Sequence, residues 1–330
     1  MTATRFGRRR AYRPHVLTWH VHGSYLYYLA HAPAEFHVPV KPGRPEGYGG
    51  RSDGLPWPDN VHEVPAEEAP SLELDCVLYQ SRRNWTEDRY EILSPQQRRL
   101  PGVYLEHDPP REHPTDTRHW VDDPEVLVVH VTHFNDLMWD CGECRTRVVE
   151  HGVKVPPAVR YTGEIPRGLV VVNDIASRGR RLGADVLDRV RAEVPLDLAG
   201  MGSVPLGGLG EVSHEELPRL MAHYRFLFNP IRYTSLGLAV LEAMQCGVPV
   251  VGLATTEMAV AVRNGVSGYV DTDVSRLVSR MRGLIDDPLY ARRLGEGARR
   301  AACRRWGIER FAREWGELLS EVAERRPVAV

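Results

Sequence analysis

At 330 residues the chain exceeds what one hydrophobic core ordinarily fills, so two domains facing a cleft are expected. Hydrophobic residues make up 42% and charged ones 26%, an ordinary globular balance, and a formal net charge of −2 provides no overall attraction for nucleic acid. No run of about 18 apolar residues offers a transmembrane segment, and the arginines at the start (Arg5, Arg8, Arg9, Arg10) lead into a polar stretch rather than a signal-peptide core, which reads as cytoplasmic.

The first half opens with residues 16–23, a strand-like apolar run ending in Gly23, and passes into the helical-looking 24–30, a strand-turn-helix unit. His20 and His22 share one face of that run by period two. A stretch rich in proline and glycine, from about His31 to Pro70, is too long for an ordinary connection and is either a substrate-facing or a mobile loop. Short apolar runs at 76–79, 103–105, 126–129 and 148–149 then alternate with helical or irregular segments, the pattern of a parallel sheet. Five cysteines, an odd number, fit a reducing compartment; Cys141 and Cys144 make one Cys-x-x-Cys pair near His130 and His133, but no second pair completes a four-ligand site, so no metal is expected.

A polar, proline-rich segment over 155–168 marks a linker, after which the alternation becomes regular. Strands at 169–172, 196–199, 225–228, 248–253 and 268–270 are separated by helices at 180–192, 215–223, 235–245 and 257–263, a doubly wound order. From Asp273 to Glu324 the chain reads as helices with many exposed arginines; of the 42 basic side chains only Lys41 and Lys154 are lysine, a bias of genomic rather than functional character.

The turn before the helix at Ser235 is the most informative place. Residues 226–238 run from a buried strand through a proline-stopped turn into a helix, and strand ends in such sheets face ligands. Thr234 or Ser235 can serve as N-cap, leaving the amides of Leu236, Gly237 and Leu238 either satisfied by the hydroxyl or open to an anion, with the helix dipole and Gly237 favouring its approach. The helix is apolar on all sides except at Glu242, and a carboxylate on a buried helix needs a partner. That partner is either an arginine or the adjacent hydroxyls of a ligand sugar such as ribose.

The run from Tyr233 through Thr234, Ser235, Leu236, Gly237, Leu238 and Glu242 to Gly247, Pro249 and Val251 resembles the signature of the retaining GT-B glycosyltransferases of family 4, as do Asn264 to Val270 and the closing Phe311 to Trp315. The resemblance covers most of the second half, whereas the first half agrees in outline. It implies an α/β fold of two Rossmann-like, doubly wound parallel-sheet domains facing a cleft. Residues 1–157 would form an acceptor-side domain, 158–308 a donor domain, and 309–330 a C-terminal helix returning to the first domain.

By the same resemblance Glu242 binds the nucleotide ribose. Thr234 stands where the family has a second glutamate that receives donor-sugar hydroxyls, so Ser235 and backbone groups would replace it, or the donor differs. Asp174 stands at the family's phosphate-clamping arginine, leaving Arg178 and Arg181 as the clamp; arginine grips phosphate in bidentate fashion. His107, in the segment Val103 to Asp108, matches the histidine that the family sets beside donor sugar and phosphates. Gly23 matches the glycine turn that lets ligand approach the backbone, and Gly210 with Glu211 lies where a uracil base would sit. The implied activity is metal-independent transfer, without a cofactor, from a nucleotide sugar, UDP-hexose or UDP-N-acetylhexosamine, to a small-molecule or glycan acceptor with retained anomeric configuration. Competing products of the same fold are a nucleotide-sugar epimerase or phosphorylase, and a nucleotide-sugar-binding protein without transferase activity.

Overall fold

The computed structural model describes residues 12–21 and 23–325; His22 and the arginines at positions 5 and 8–10 lie outside the described residues. The first half comprises β1 (His15–Thr18), α1 (Gly23–Leu29), β2 (Glu35–Val40), β3 (Val61–Pro65), β4 (Cys76–Tyr79), α2 (Arg89–Ile92), β5 (Gly102–Glu106), β6 (Leu127–His130), α3 (His133–Met138) and β7 (Arg145–Val148). Its strands form a seven-stranded sheet in the order β3-β2-β1-β4-β5-β6-β7, every pairing parallel. β4, β5 and β6 are buried along their whole length, as expected of strands covered on both faces.

The second half comprises β8 (Ile165–Val171), α4 (Ile175–Leu182), α5 (Ala184–Arg191), β9 (Leu196–Ala199), α6 (Leu217–His223), β10 (Tyr224–Asn229), α7 (Leu238–Cys246), β11 (Val250–Leu253), α8 (Met258–Ala261), β12 (Gly268–Asp271), α9 (Val274–Asp286), α10 (Pro288–Arg305) and α11 (Ile308–Glu324). Here five parallel strands run in the order β12-β11-β10-β8-β9. In each sheet the winding direction reverses once, between β1 and β4 and between β8 and β10, and crevices for ligands open at such reversals, outside the C-terminal strand ends.

Three expectations need correction. The stretch 31–70 is not one loop: β2 and β3 lie within it at one side of the first sheet, where Phe36 and Val38 bury their side chains at strand spacing and β3 pairs with β2 from Val61 to Pro65. The strand expected from 169 starts at Ile165, inside the proline-rich linker, where Ile165 pairs with Tyr224. The helix expected over 180–192 is two helices, α4 and α5, divided at Gly183. That glycine has φ +82°, and a Cβ there would lie 2.0 Å from the Pro230 carbonyl oxygen, so the chain turns where no side chain fits.

α11 carries Ile308, Phe311, Trp315, Leu318, Leu319 and Val322 on one buried stripe. It packs on α1 and β4, so the C-terminal helix returns to the first sheet.

Candidate active site

Between the two sheets lies a cleft of about 950 Å³. From the first half it is lined by Gly23 at the start of α1, by His107 and Asp108 just beyond β5, and by residues 52–55. From the second it is lined by Arg178 and Arg181 of α4, by Glu211, by Thr234, Ser235, Leu236 and Gly237, and by Leu238 and Glu242 of α7. The structure therefore brings together Gly23, His107, Arg178, Arg181, Glu211, Thr234 to Leu238 and Glu242, but not Gly210. Gly210 stands behind the lining, in left-handed backbone (φ +86°), where its carbonyl accepts from the Gly200 amide and its own amide bonds to Ser203 Oγ at 2.9 Å.

The helix start differs from the expected one. α7 begins at Leu238, and its N-cap is Gly237, in extended backbone (φ −69°, ψ 139°) with no side-chain cap bond. Thr234 and Ser235 are therefore not the cap; Thr234 donates its hydroxyl across the cleft to Asp108 Oδ1 at 3.2 Å. With no hydroxyl or carboxylate folded over it, the first turn of α7 presents backbone amides and the positive end of its dipole to the cleft. Asp174 does not line the cleft; it starts α4 with φ +53°, and Arg178 follows one turn on.

Glu242 is buried, and its partner is not an arginine. The hydroxyl of Tyr28, from α1, donates to Oε1 at 2.8 Å. With that proton committed, His214 Nε2, 3.3 Å from the Tyr28 oxygen, is the donor to it, and His214 Nδ1 lies 3.2 Å from Ser24 Oγ and 3.9 Å from Glu242 Oε1. Burial pushes the Glu242 carboxyl above its ordinary range. This chain of Ser24, His214, Tyr28 and Glu242 crosses between the halves and orients the carboxylate from the first one.

His107 is oriented similarly. Gln80 donates through Nε2 to Thr18 Oγ1 (2.9 Å) and the Trp19 carbonyl (2.8 Å), so its Oε1 faces His107 Nε2 at 3.3 Å and makes that nitrogen the protonated one. Tyr25 holds the ring edge-on at 4.7 Å. Beyond His107, Asp108 and Arg111 a second cavity of about 620 Å³ opens into the first half, walled by Tyr104, Trp120, Trp139 and Arg82.

Three further lining residues were not legible as site residues: Arg111, His151 and His214. None stands in a distinctive spacing, and each reaches the cleft through packing of segments distant in sequence. His151 is buried against Tyr25, and burial lowers its pKa to about 4, with Glu150 and the Leu236 backbone acting in the opposite sense. Cys141 and Cys144 are free thiols away from the cleft; burial pushes Cys141 up to about 12, and Cys144 donates to the Val121 and Asp123 carbonyls.

Residues 207–301 match the family model described as Glycosyl transferases group 1, a segment containing α7 and the turn before it. Over 100 residues the chain is 38% identical to D-inositol 3-phosphate glycosyltransferase 1 of Catenulispora acidiphila, covering 28% of this chain and 24% of that protein. Over 93 residues it is 33% identical to glycogen synthase of Mycobacterium tuberculosis, covering 28% of this chain and 22% of that one. The matched segment thus spans about a quarter of the length of these curated relatives. Among solved structures, sucrose-phosphate synthase from Thermosynechococcus elongatus has a TM-score of 0.69 at 15% identity, covering 94% of this chain and 99% of that one. HepE of Anabaena in complex with UDP-glucose has a TM-score of 0.67 at 15% identity, covering 94% and 100%. At such identity the likeness is one of fold: the two facing parallel sheets of the GT-B arrangement extend over nearly the whole chain.

Proposed function

We propose that the protein is a retaining glycosyltransferase of the GT-B family 4 type that takes a sugar from a UDP-linked donor and passes it to a hydroxyl of a small-molecule or glycan acceptor. The observation that carries this reading is the pairing, in one cleft, of the uncapped start of α7 with the buried carboxylate of Glu242 one turn deeper. The first suits a diphosphate, the second the vicinal hydroxyls of a ribose. The match over residues 207–301 and the UDP and UDP-glucose complexes of the structural neighbour HepE support the same ligand class.

Departure of the nucleoside diphosphate places negative charge on its distal phosphate and positive character on the anomeric carbon. The α7 amides, Arg178 and Arg181 are suited to stabilise the former, in place of a metal ion. The acceptor hydroxyl would attack from the leaving-group face and give its proton to a phosphate oxygen, so no protein nucleophile is required. His107, at the junction of the two cavities, would contact donor sugar and phosphate, and the aromatic-walled second cavity suits the acceptor ring.

A thermal-shift panel of UDP-, GDP- and ADP-sugars tests the donor, since a ligand bound only by the folded state raises the melting temperature. The expected result is a shift with UDP-sugars, followed by transfer or slow donor hydrolysis that persists in EDTA. No shift with any nucleotide sugar would overturn the reading, and binding without hydrolysis or transfer to any acceptor would leave a binding protein.

A further inference from the structure

We propose that Arg111 is a third cation for the donor diphosphate, contributed by the first half of the chain, and that Asp108 competes with the diphosphate for it. The inference rests on the nucleotide-sugar reading above.

Three guanidiniums line the cleft: Arg111, four residues beyond His107, and Arg178 and Arg181 of α4. They bear on one another, because burial and then the charges of Arg111 and Arg178 hold Arg181 below its ordinary range, while Asp108 acts in the opposite sense. Asp108 is the carboxylate among them. Its Oδ2 pairs with the Arg111 guanidinium, and its Oδ1 accepts the Thr234 hydroxyl at 3.2 Å. Asp53, Glu211 and Glu242 line the same cleft, but the charges that bear on Arg181 are those of Arg111, Arg178 and Asp108, a local excess of cations that a nucleoside diphosphate neutralises and a neutral ligand does not.

The same geometry separates Arg111 from the other two. The Arg111 side chain is 56% exposed, so its guanidinium has room to turn from a single carboxylate to a bidentate grip on phosphate. When it turns, Asp108 is released beside His107, where the hydroxyls of the sugar being transferred would lie, with Thr234 still able to donate to it. Arg111 and Asp108 come from the sheet opposite α4 and α7, so the exchange ties diphosphate binding to the apposition of the two halves.

The test is calorimetric titration with UDP, GDP and ADP, and then with the monophosphate of whichever binds. Arg111→Ala is expected to lower the ratio of diphosphate to monophosphate affinity about tenfold. Asp108→Asn, which keeps the shape and an acceptor oxygen for Thr234 but removes the charge and the second acceptor that hold Arg111, is expected to raise that ratio about threefold while slowing transfer. Circular dichroism melts confirm that both variants fold. If none of the three diphosphates binds the unaltered protein, the underlying reading falls and this inference with it. If one binds, and either Arg111→Ala leaves the ratio unchanged or Asp108→Asn lowers it, the inference alone is overturned.

Discussion

Glu242 has its ordinary proton affinity near 4.5 raised by burial on α7. Between that value and the higher folded one, the native protein holds a proton that the unfolded chain has released. The contribution of this group to stability is therefore fully present below pH 4.5 and is lost as pH rises through the folded value, so burial of Glu242 burdens the ligand-free protein at neutral pH. Glu242→Gln, which still accepts from Tyr28, is expected to raise the melting temperature at pH 7 by about 2–4 °C and flatten its pH dependence above pH 5. The same substitution is expected to weaken UDP binding about tenfold, read by calorimetry. An unchanged melting temperature would mean that Glu242 is not held charged at a cost, and an unchanged affinity that it does not receive the ribose. That Glu242 is a buried carboxylate in need of a partner was legible from its place in an otherwise apolar helix. That its partner is Tyr28 rather than an arginine was not, because a tyrosine on α1 acquires that role only when the halves meet.

Helix α7 owes its place to what lies behind it. α10 packs along it, and at Gly295 the approach is so close that a Cβ would stand 1.9 Å from the Gly247 carbonyl oxygen. Gly295→Ala forces backbone against backbone, and is expected to cost about 1–3 kcal/mol, seen as a lower midpoint in urea with an unchanged slope. It should also weaken UDP binding, since α7 must shift; full stability and affinity would show that α10 yields without moving α7. The position of this helix was readable from apolar content and from Gly247 and Pro249 at its end, but its start was misplaced by three residues. The hydroxyls of Thr234 and Ser235 carry the chemistry of a cap, yet Thr234 is drawn to Asp108 instead, so the helix waits until Gly237. The strands β2 and β3 were missed for a related reason: proline and glycine between them mask two short strands, β3 at the sheet edge and β2 beside it, whose pairing is non-local.

Across the whole molecule the two halves share one apolar cluster, in which Leu26 and Val103 of the first belong together with Met244, Trp306 and Trp315 of the second. Polar links cross as well, from Tyr28 to Glu242, from the Phe134 amide to Glu257 at 3.2 Å, and from Arg305 Nε to Glu150 at 3.0 Å. Such continuity predicts a single endotherm in scanning calorimetry, shifted upward as a unit by UDP. Two resolved endotherms, or a shift confined to one, would show that the halves unfold independently.

His107, Arg178 and Arg181 were singled out by family resemblance, whereas local pattern was sufficient for what local physics controls: the alternation of strand and helix, the buried character of α7, and the lone carboxylate of Glu242 upon it. Those features follow from side-chain periodicity and backbone conformation within a few residues of each other. Tertiary structure alone decided that Tyr28 and His214 orient Glu242, and that Arg111, Asp108 and Thr234 meet across the cleft. These contacts join residues up to 214 positions apart, and their partners are chosen by the packing of two sheets, to which no spacing within either half refers.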